Sequence, residues 1–232
     1  MVSTLKTFGN SNKLANALAD EVASALSSAI AARGQASLAV SGGSTPKAFF
    51  KALSNHDLDW GKVTVTLVDE RYVPADNERS NHLLVAQNLL QNKAAVAEFV
   101  PLYYPAASVD EGAAIATRET AKIPTPFDVA ILGMGGDGHT ASFFPGGDHL
   151  AQALDASGSR GIISMKAEGA GEPRLTFTFS SLSDARLLVL HIEGESKKQV
   201  LEKAQAPGDE TEMPIRAVLR RAATPVQIVW AP

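Results

Sequence analysis

Apolar residues recur at every fourth position over Leu14, Leu18, Val22, Leu26 and Ile30, with Asp20, Glu21 and Arg33 off that line. The spacing predicts an amphipathic helix, with Gly34 as its C-terminal stop. Five β-rich runs follow, at Ser37–Val40, Val63–Val68, Phe127–Leu132, Leu187–Ile192 and Val226–Trp230. Most are nearly continuous apolar runs; in Val63–Val68, Thr64 and Thr66 are interleaved. Continuous apolar strands are covered on both faces, as in parallel sheets. Helix-like segments occur at Pro46–Leu53, Asn81–Leu90, Ala107–Lys122 and Glu195–Lys203. Strands separated by helices imply right-handed crossovers. The expected fold is therefore α/β: an open, mostly parallel, Rossmann-like sheet with helices on both faces.

Two stretches modify that picture. In Arg174–Phe179, Leu175, Phe177 and Phe179 alternate with Thr176 and Thr178. It reads as a strand with one polar face, suited to a small antiparallel extension. Gly169, Ala170 and Gly171 read as a flexible loop before it. Arg216, Arg220 and Arg221 fall in a predicted helix and read as its exposed face. With no internal repeat or linker, residues 1–232 read as a single domain.

Composition narrows the class. A chain of 232 residues buries roughly 70% of its unfolded surface as one domain, so it needs no disulfide or structural metal. It contains no cysteine, which excludes disulfides, thiolate metal sites and a cysteine nucleophile. The formal net charge is −4, without basic blocks, which argues against nucleic acid and anionic membranes as partners. No apolar run approaches the ~18 residues of a membrane span. The start, Met1-Val2-Ser3-Thr4-Leu5-Lys6, lacks the apolar core of a secretory signal. A cytoplasmic monomer or small homo-oligomer is expected.

In open α/β sheets, ligands bind beyond the carboxyl ends of the strands. After Val40 comes Ser41-Gly42-Gly43-Ser44-Thr45-Pro46. Two glycines permit close backbone approach, Ser44 and Thr45 offer hydroxyls, and Pro46 suits a helix start. The loop reads either as an anion site at a helix N-terminus or as an ordinary strand-to-helix turn. The GxxxxGK spacing of a nucleotide P-loop is absent. After Val68 comes Asp69-Glu70-Arg71. Here a carboxylate can act as a base and Arg71 can oppose developing negative charge; the alternative is a solvated Glu–Arg surface pair. Ser80 and Asn81 start the next helix and can serve as caps.

After Leu132 comes Gly133-Met134-Gly135-Gly136-Asp137-Gly138-His139-Thr140-Ala141-Ser142-Phe143-Phe144-Pro145-Gly146. Gly133, Gly135 and Gly138 spell the dinucleotide motif, but Pro145 and Gly146 interrupt the helix that motif needs, and Asp137 would repel a pyrophosphate. A glycine turn displaying Asp137 and His139 together is the better reading. An imidazole can take a proton at neutral pH, and a neighbouring carboxylate can fix its tautomer. A structural histidine is the bland alternative. Asp137, His139, Asp148 and His149 match no established metal-ligand spacing, and neither metal nor cofactor is expected. Arg174 and Lys197 can add positive charge around a phosphate, or be solvated surface residues.

Taken together, Ser41–Pro46, Asp69–Pro74 with Ser80-Asn81, Gly133–Gly146, Pro173–Thr178 and Gly194–Lys197 resemble the 6-phosphogluconolactonase family, related to the glucosamine-6-phosphate isomerases. The pieces run in the family's order. The resemblance implies that Ser41, Gly42, Gly43, Ser44 and Thr45 line a substrate and phosphate pocket. It implies His139 as general base, oriented by Asp137, with Arg71 beside the substrate and Arg174 and Lys197 on the phosphate. Asp69 is left as a binding or orienting residue. The implied reaction is hydrolysis of 6-phospho-D-glucono-1,5-lactone to 6-phospho-D-gluconate, the second step of the oxidative pentose phosphate pathway.

Two alternatives stand beside this. One is an amino-sugar-phosphate isomerase or deaminase. The resemblance disfavours it, because those relatives usually carry Tyr where Arg71 stands and continue differently at Thr140-Ala141-Ser142. The other is a non-catalytic sugar-phosphate sensor, disfavoured by the presence of both His139 and Asp137. The expectation is that the chain releases no ammonia from glucosamine 6-phosphate, which a coupled ammonia assay checks.

Overall fold

The computed structural model describes residues 3–232, so Met1 and Val2 lie outside the described residues. After strand β1 (Thr4–Thr7) comes helix α1 (Ser11–Arg33). Asn10 caps α1 by accepting from the Lys13 N–H at 2.9 Å, and Gly34, at φ +77°, returns its N–H to the Ile30 carbonyl. The expected helix and stop are both present. The buried face runs Leu14, Ala15, Leu18, Ala19, Val22, Leu26 and Ala29. A strict fourth-residue line drifts by about 40° per step on a helix of 3.6 residues per turn. Ile30 has therefore rotated to the margin, where it is half-buried.

The chain continues through β2 (Ala36–Val40), α2 (Lys47–Leu53), β3 (Val63–Leu67), β4 (Asp69–Arg71), α3 (Asn81–Asn88), β5 (Glu98–Val100), α4 (Val109–Thr120) and β6 (Val129–Leu132). Then follow α5 (Leu150–Ala153), β7 (Ile162–Met165), β8 (Arg174–Phe177), α6 (Phe179–Leu182), β9 (Leu187–Glu193), α7 (Glu195–Gln205), α8 (Ile215–Arg221) and β10 (Val226–Ala231). Seven strands form one sheet in the order β1-β10-β9-β6-β2-β3-β5, with every pairing parallel. Every residue of β2 and β6 is buried, as the continuous apolar runs predict. The five expected runs are its five inner strands. The edges β1 and β5 are short; β1 is exposed throughout, while β5 buries only Val100.

A second sheet of three strands has the order β4-β8-β7 and is antiparallel throughout. This is the expected extension, but its strand stops at Phe177, and Phe179 begins a short helix. Two other expectations are corrected. Glu168–Ala170 is a 3-10 turn rather than a loose loop; Ala170 is buried and its carbonyl accepts from Arg174 Nη2 at 2.6 Å. Arg216 is not on an exposed face but 6% exposed. Its guanidinium donates to the carbonyls of Asp209 and Lys203, tying down the connection between α7 and α8. Arg220 and Arg221 are exposed, as read.

The segment Asp69-Glu70-Arg71 is likewise no solvated pair. Glu70 is fully buried. Its Oε1 accepts from the Arg71 and Asn81 N–H groups, at 2.7 and 2.8 Å. Its Oε2 accepts from the Ser80 hydroxyl and the His82 N–H, at 3.0 and 2.8 Å. Burial pushes this carboxyl above the usual range, and the four donors offset that shift only in part. Glu70 thus satisfies free N–H groups at the start of α3, while Ser80 caps the same helix through Leu83. Glu70→Gln would turn an amide N–H₂ toward two donors. The expected loss is about 2–3 kcal/mol, read as a lower urea midpoint with an unchanged slope.

Candidate active site

Strands β2 and β6 lie side by side with Val40 opposite Ile131. From β2 the chain crosses to β3, and from β6 it passes toward β9 on the other side. The order of the sheet reverses between them, and such a point leaves a crevice at the carboxyl ends. The crevice holds a cavity of about 290 Å³. The loop after β2 lines it with Ser41, Gly42, Gly43, Ser44 and Thr45, and the loop after β6 with Gly133, Met134, Gly135, His139 and Ala141. Asp69, Arg71 and Arg174 enter from the antiparallel sheet, and Lys197 from α7.

Close packing explains two of the glycines. A Cβ at Gly42 would fall 1.8 Å from Asn81 Oδ1; Asn81 in turn donates to the Asp69 carbonyl at 2.9 Å. A Cβ at Gly135 would fall 2.1 Å from His139 Nδ1. The loop after β6 therefore curls tightly enough for its histidine to lie over its own backbone. The Gly135 N–H bonds to the His139 carbonyl at 2.8 Å, and the Thr140 hydroxyl to the Gly133 carbonyl at 2.8 Å.

Asp137 Oδ1 lies 2.6 Å from His139 Nδ1 and also accepts the His139 N–H at 3.0 Å. With Nδ1 committed, Nε2 is the ring nitrogen left for a ligand. Partial burial raises the Asp137 carboxyl, but the hydrogen bonds and charge of His139 outweigh it and bring it down to about 2. The carboxylate therefore stays ionised beside the imidazole at neutral pH. A carboxylate at Nδ1 favours the tautomer that leaves Nε2 able to accept a proton.

Positive charge gathers opposite. Arg71 and Arg174 are register partners across β4 and β8. Arg71 also bonds to the Arg79 carbonyl, and each guanidinium has a buried Nε without a partner. Burial lowers the pKa of Arg174, and the charge of Asp69 opposes that shift. Lys197 forms no ion pair among the described residues. Asp69 is 7% exposed, and its Oδ2 accepts from the Ser142 hydroxyl at 2.6 Å. The Ser142 N–H in turn donates to Thr176 Oγ1 at 3.3 Å.

Ten of the eleven residues anticipated from sequence thus line one cavity; Asp137 stands behind His139 and does not. Asp148 and His149 belong to a separate cluster, where His149 Nδ1 lies 3.1 Å from the Ser164 carbonyl. Asn81 reads from sequence as a cap and as part of the family motif, and Ser142 as part of a motif, neither as a residue of the site; Asn81 lines the cavity and Ser142 holds Asp69. His191 was not anticipated: it lines the cavity from β9 and pairs with Glu193 at 2.9 Å. A lone polar residue inside an apolar strand was its only signal.

A glycine loop, convergent cations and a carboxylate-oriented imidazole around one crevice define an α/β enzyme for a phosphorylated small molecule. The sequence profile described as "Glucosamine-6-phosphate isomerases/6-phosphogluconolactonase" matches residues 9–230, and the chain belongs to that family. It is 66% identical over 232 residues to the 6-phosphogluconolactonase of Rhizobium meliloti (strain 1021), covering all of both chains. It is 53% identical to that of Mesorhizobium japonicum, over 97% of this chain and 94% of the relative. The crystal structure of a 6-phosphogluconolactonase from Shewanella baltica OS155 superposes with a TM-score of 0.95 at 41% identity, covering 99% of this chain and 98% of that one.

The depressed Asp137 carboxyl has a consequence for stability. Its folded-state value of about 2 lies below the ordinary 3.8. Its contribution is therefore present above about pH 4 and lost as pH falls toward 2. Asp137→Asn is expected to remove that part of the acid sensitivity, read from urea midpoints across the window. The same variant is expected to lower kcat by about 100-fold or more, through loss of the fixed tautomer.

Proposed function

We propose that this chain hydrolyses 6-phospho-D-glucono-1,5-lactone to 6-phospho-D-gluconate, the second step of the oxidative pentose phosphate pathway. The observation that carries the proposal is the convergence of the Asp137–His139 pair on the cavity that also holds the Ser41–Thr45 loop, Arg174 and Lys197. The names of the relatives support it.

In this reading the loop N–H groups and hydroxyls, Lys197 and Arg174 grip the phosphate. Binding a remote, non-reacting group orients the lactone carbonyl. His139 Nε2 removes a proton from water as the water oxygen bonds to C1. Arg71 and nearby N–H groups oppose the charge that collects on the carbonyl oxygen. As the tetrahedral centre collapses, the bond from C1 to the ring oxygen breaks and His139 returns the proton to that oxygen. Asp137 remains ionised throughout and stabilises the imidazolium. No covalent intermediate is required, because a lactone carbonyl is open to direct attack by water. Asp69, held at one oxygen by Ser142, offers the other to a substrate hydroxyl.

The test is lactone hydrolysis above the spontaneous rate, with the lactone generated in situ from glucose 6-phosphate. His139→Ala is expected to lose about 10²–10⁴-fold in kcat with little change in affinity for 6-phosphogluconate. Lys197→Ala is expected to raise KM about 10-fold or more by losing a charge-assisted contact. A His139→Ala enzyme of wild-type activity would overturn the assignment of the base.

A further inference from the structure

The Asp137 carboxylate fixes one atom of the His139 ring but not the plane of that ring. With the ring tethered at Cβ and held by one hydrogen bond at Nδ1, part of its torsional freedom about Cα–Cβ and Cβ–Cγ remains, and that freedom moves Nε2. A second contact removes that freedom. The Phe144 ring lies 4.2 Å from the His139 ring, centroid to centroid, with the planes 32° apart. The two rings pack against each other at a tilt, a favourable contact for flat side chains.

Phe144 is itself immobilised. It is 2% exposed. Immediately before it, Thr140 and Phe143 form a tight antiparallel bridge; after it, the Gly147 N–H returns to the Phe144 carbonyl at 3.0 Å. The same ring also carries the Arg174 guanidinium, whose Cζ is 5.3 Å from the ring centroid. Guanidinium groups favour aromatic surfaces at this range. One buried ring therefore touches both the imidazole, from the loop after β6, and the Arg174 guanidinium, from β8 of the antiparallel sheet.

We propose that Phe144 is a positioning residue: it sets the plane of the His139 imidazole so that Nε2 meets the attacking water, and it keeps that base in register with Arg174. The role rests on the lactonase reading above. Phe144 touches no reacting atom and acts only through its two neighbours. A residue that merely filled the core would leave turnover per folded molecule unchanged when replaced by another apolar side chain.

Phe144→Leu removes the flat ring and keeps an apolar side chain, while Phe144→Tyr keeps the ring. Both are compared with wild type in the lactone assay, with folding monitored by urea denaturation and 6-phosphogluconate binding by calorimetry. Displacing a catalytic group by about 1 Å can cost about 10²-fold. Phe144→Leu is therefore expected to lose about 10- to 100-fold in kcat, with KM and product affinity within about threefold, because Arg174 keeps its bond to the Ala170 carbonyl. Phe144→Tyr is expected to recover kcat to within about threefold of wild type. If Phe144→Leu does not fold, Phe144→Met serves in the same comparison. A folded Leu or Met variant with kcat within about twofold of wild type would overturn the role. So would parallel losses of kcat and product affinity that Tyr does not repair. Failure of the wild type to exceed the spontaneous rate would remove the lactonase reading and this role together, whereas loss of the role alone leaves wild-type acceleration intact.

Discussion

The active site depends on the pairing of β2 with β6. Two parallel strands buried on both faces carry no polar pattern to fix their register, since a slip exchanges one apolar residue for another. Here the register is pinned from the opposite end. The Ser37 N–H donates to Asp128 Oδ2 at 2.9 Å, and the Asp128 N–H returns to Ser37 Oγ at 3.2 Å. Arg33 and Arg186 pair with the same carboxylate. Four residues on, about 13 Å along the strand, Ser41 leaves β2 with its N–H on the Ile131 carbonyl. A polar clamp at the amino end of the strands thus determines how the glycine loop and the histidine loop meet at the carboxyl end.

Three carboxylates near the cavity have three different surroundings, and the surroundings assign their parts. Glu70 has both oxygens filled by four protein donors, so nothing remains for a ligand and its part is structural. Asp69 gives one oxygen to Ser142 and keeps the other without a protein donor among the described residues, so it is a fixed acceptor facing the cavity. Asp137 spends one oxygen on two atoms of His139, so its charge serves the imidazole. Solvation and hydrogen bonding separate groups of the same chemistry more strongly than their ordinary acidities do.

Inner strands and loops were legible because both follow local rules. Continuous apolar runs reported the buried strands, and glycine, serine and proline after them reported where the sheet opens. What was hidden depends on partners distant in sequence. Asp69-Glu70-Arg71 does not look like a strand; it is one because Leu175 and its neighbours pair with it and because α3 supplies donors for Glu70. Arg216 reads as exposed by helical periodicity and is buried because the carbonyls of Lys203 and Asp209 solvate it. β1 and β5 were missed because edge strands of three or four residues carry too little apolar surface to form a run. The link between His139, Phe144 and Arg174 crosses elements and leaves no trace in spacing at all.

The two sheets contribute different kinds of chemistry. The parallel sheet offers a glycine loop and a carboxylate-paired imidazole, both at its strand ends. The antiparallel sheet brings Arg71 opposite Arg174. Like charges facing one another across paired strands are unfavourable, and burial of Arg174 sharpens the repulsion. The free protein tolerates this because Asp69 lies close by and because carbonyls of Arg79 and Ala170 take part of the guanidinium hydrogen-bonding capacity. An anion placed between the two guanidiniums would relieve that repulsion. That sheet can hold two opposed cations because Glu70 anchors one strand to α3 from beneath. Glu70, buried and filled by protein donors, thus holds in place the strand that brings Arg71 opposite Arg174.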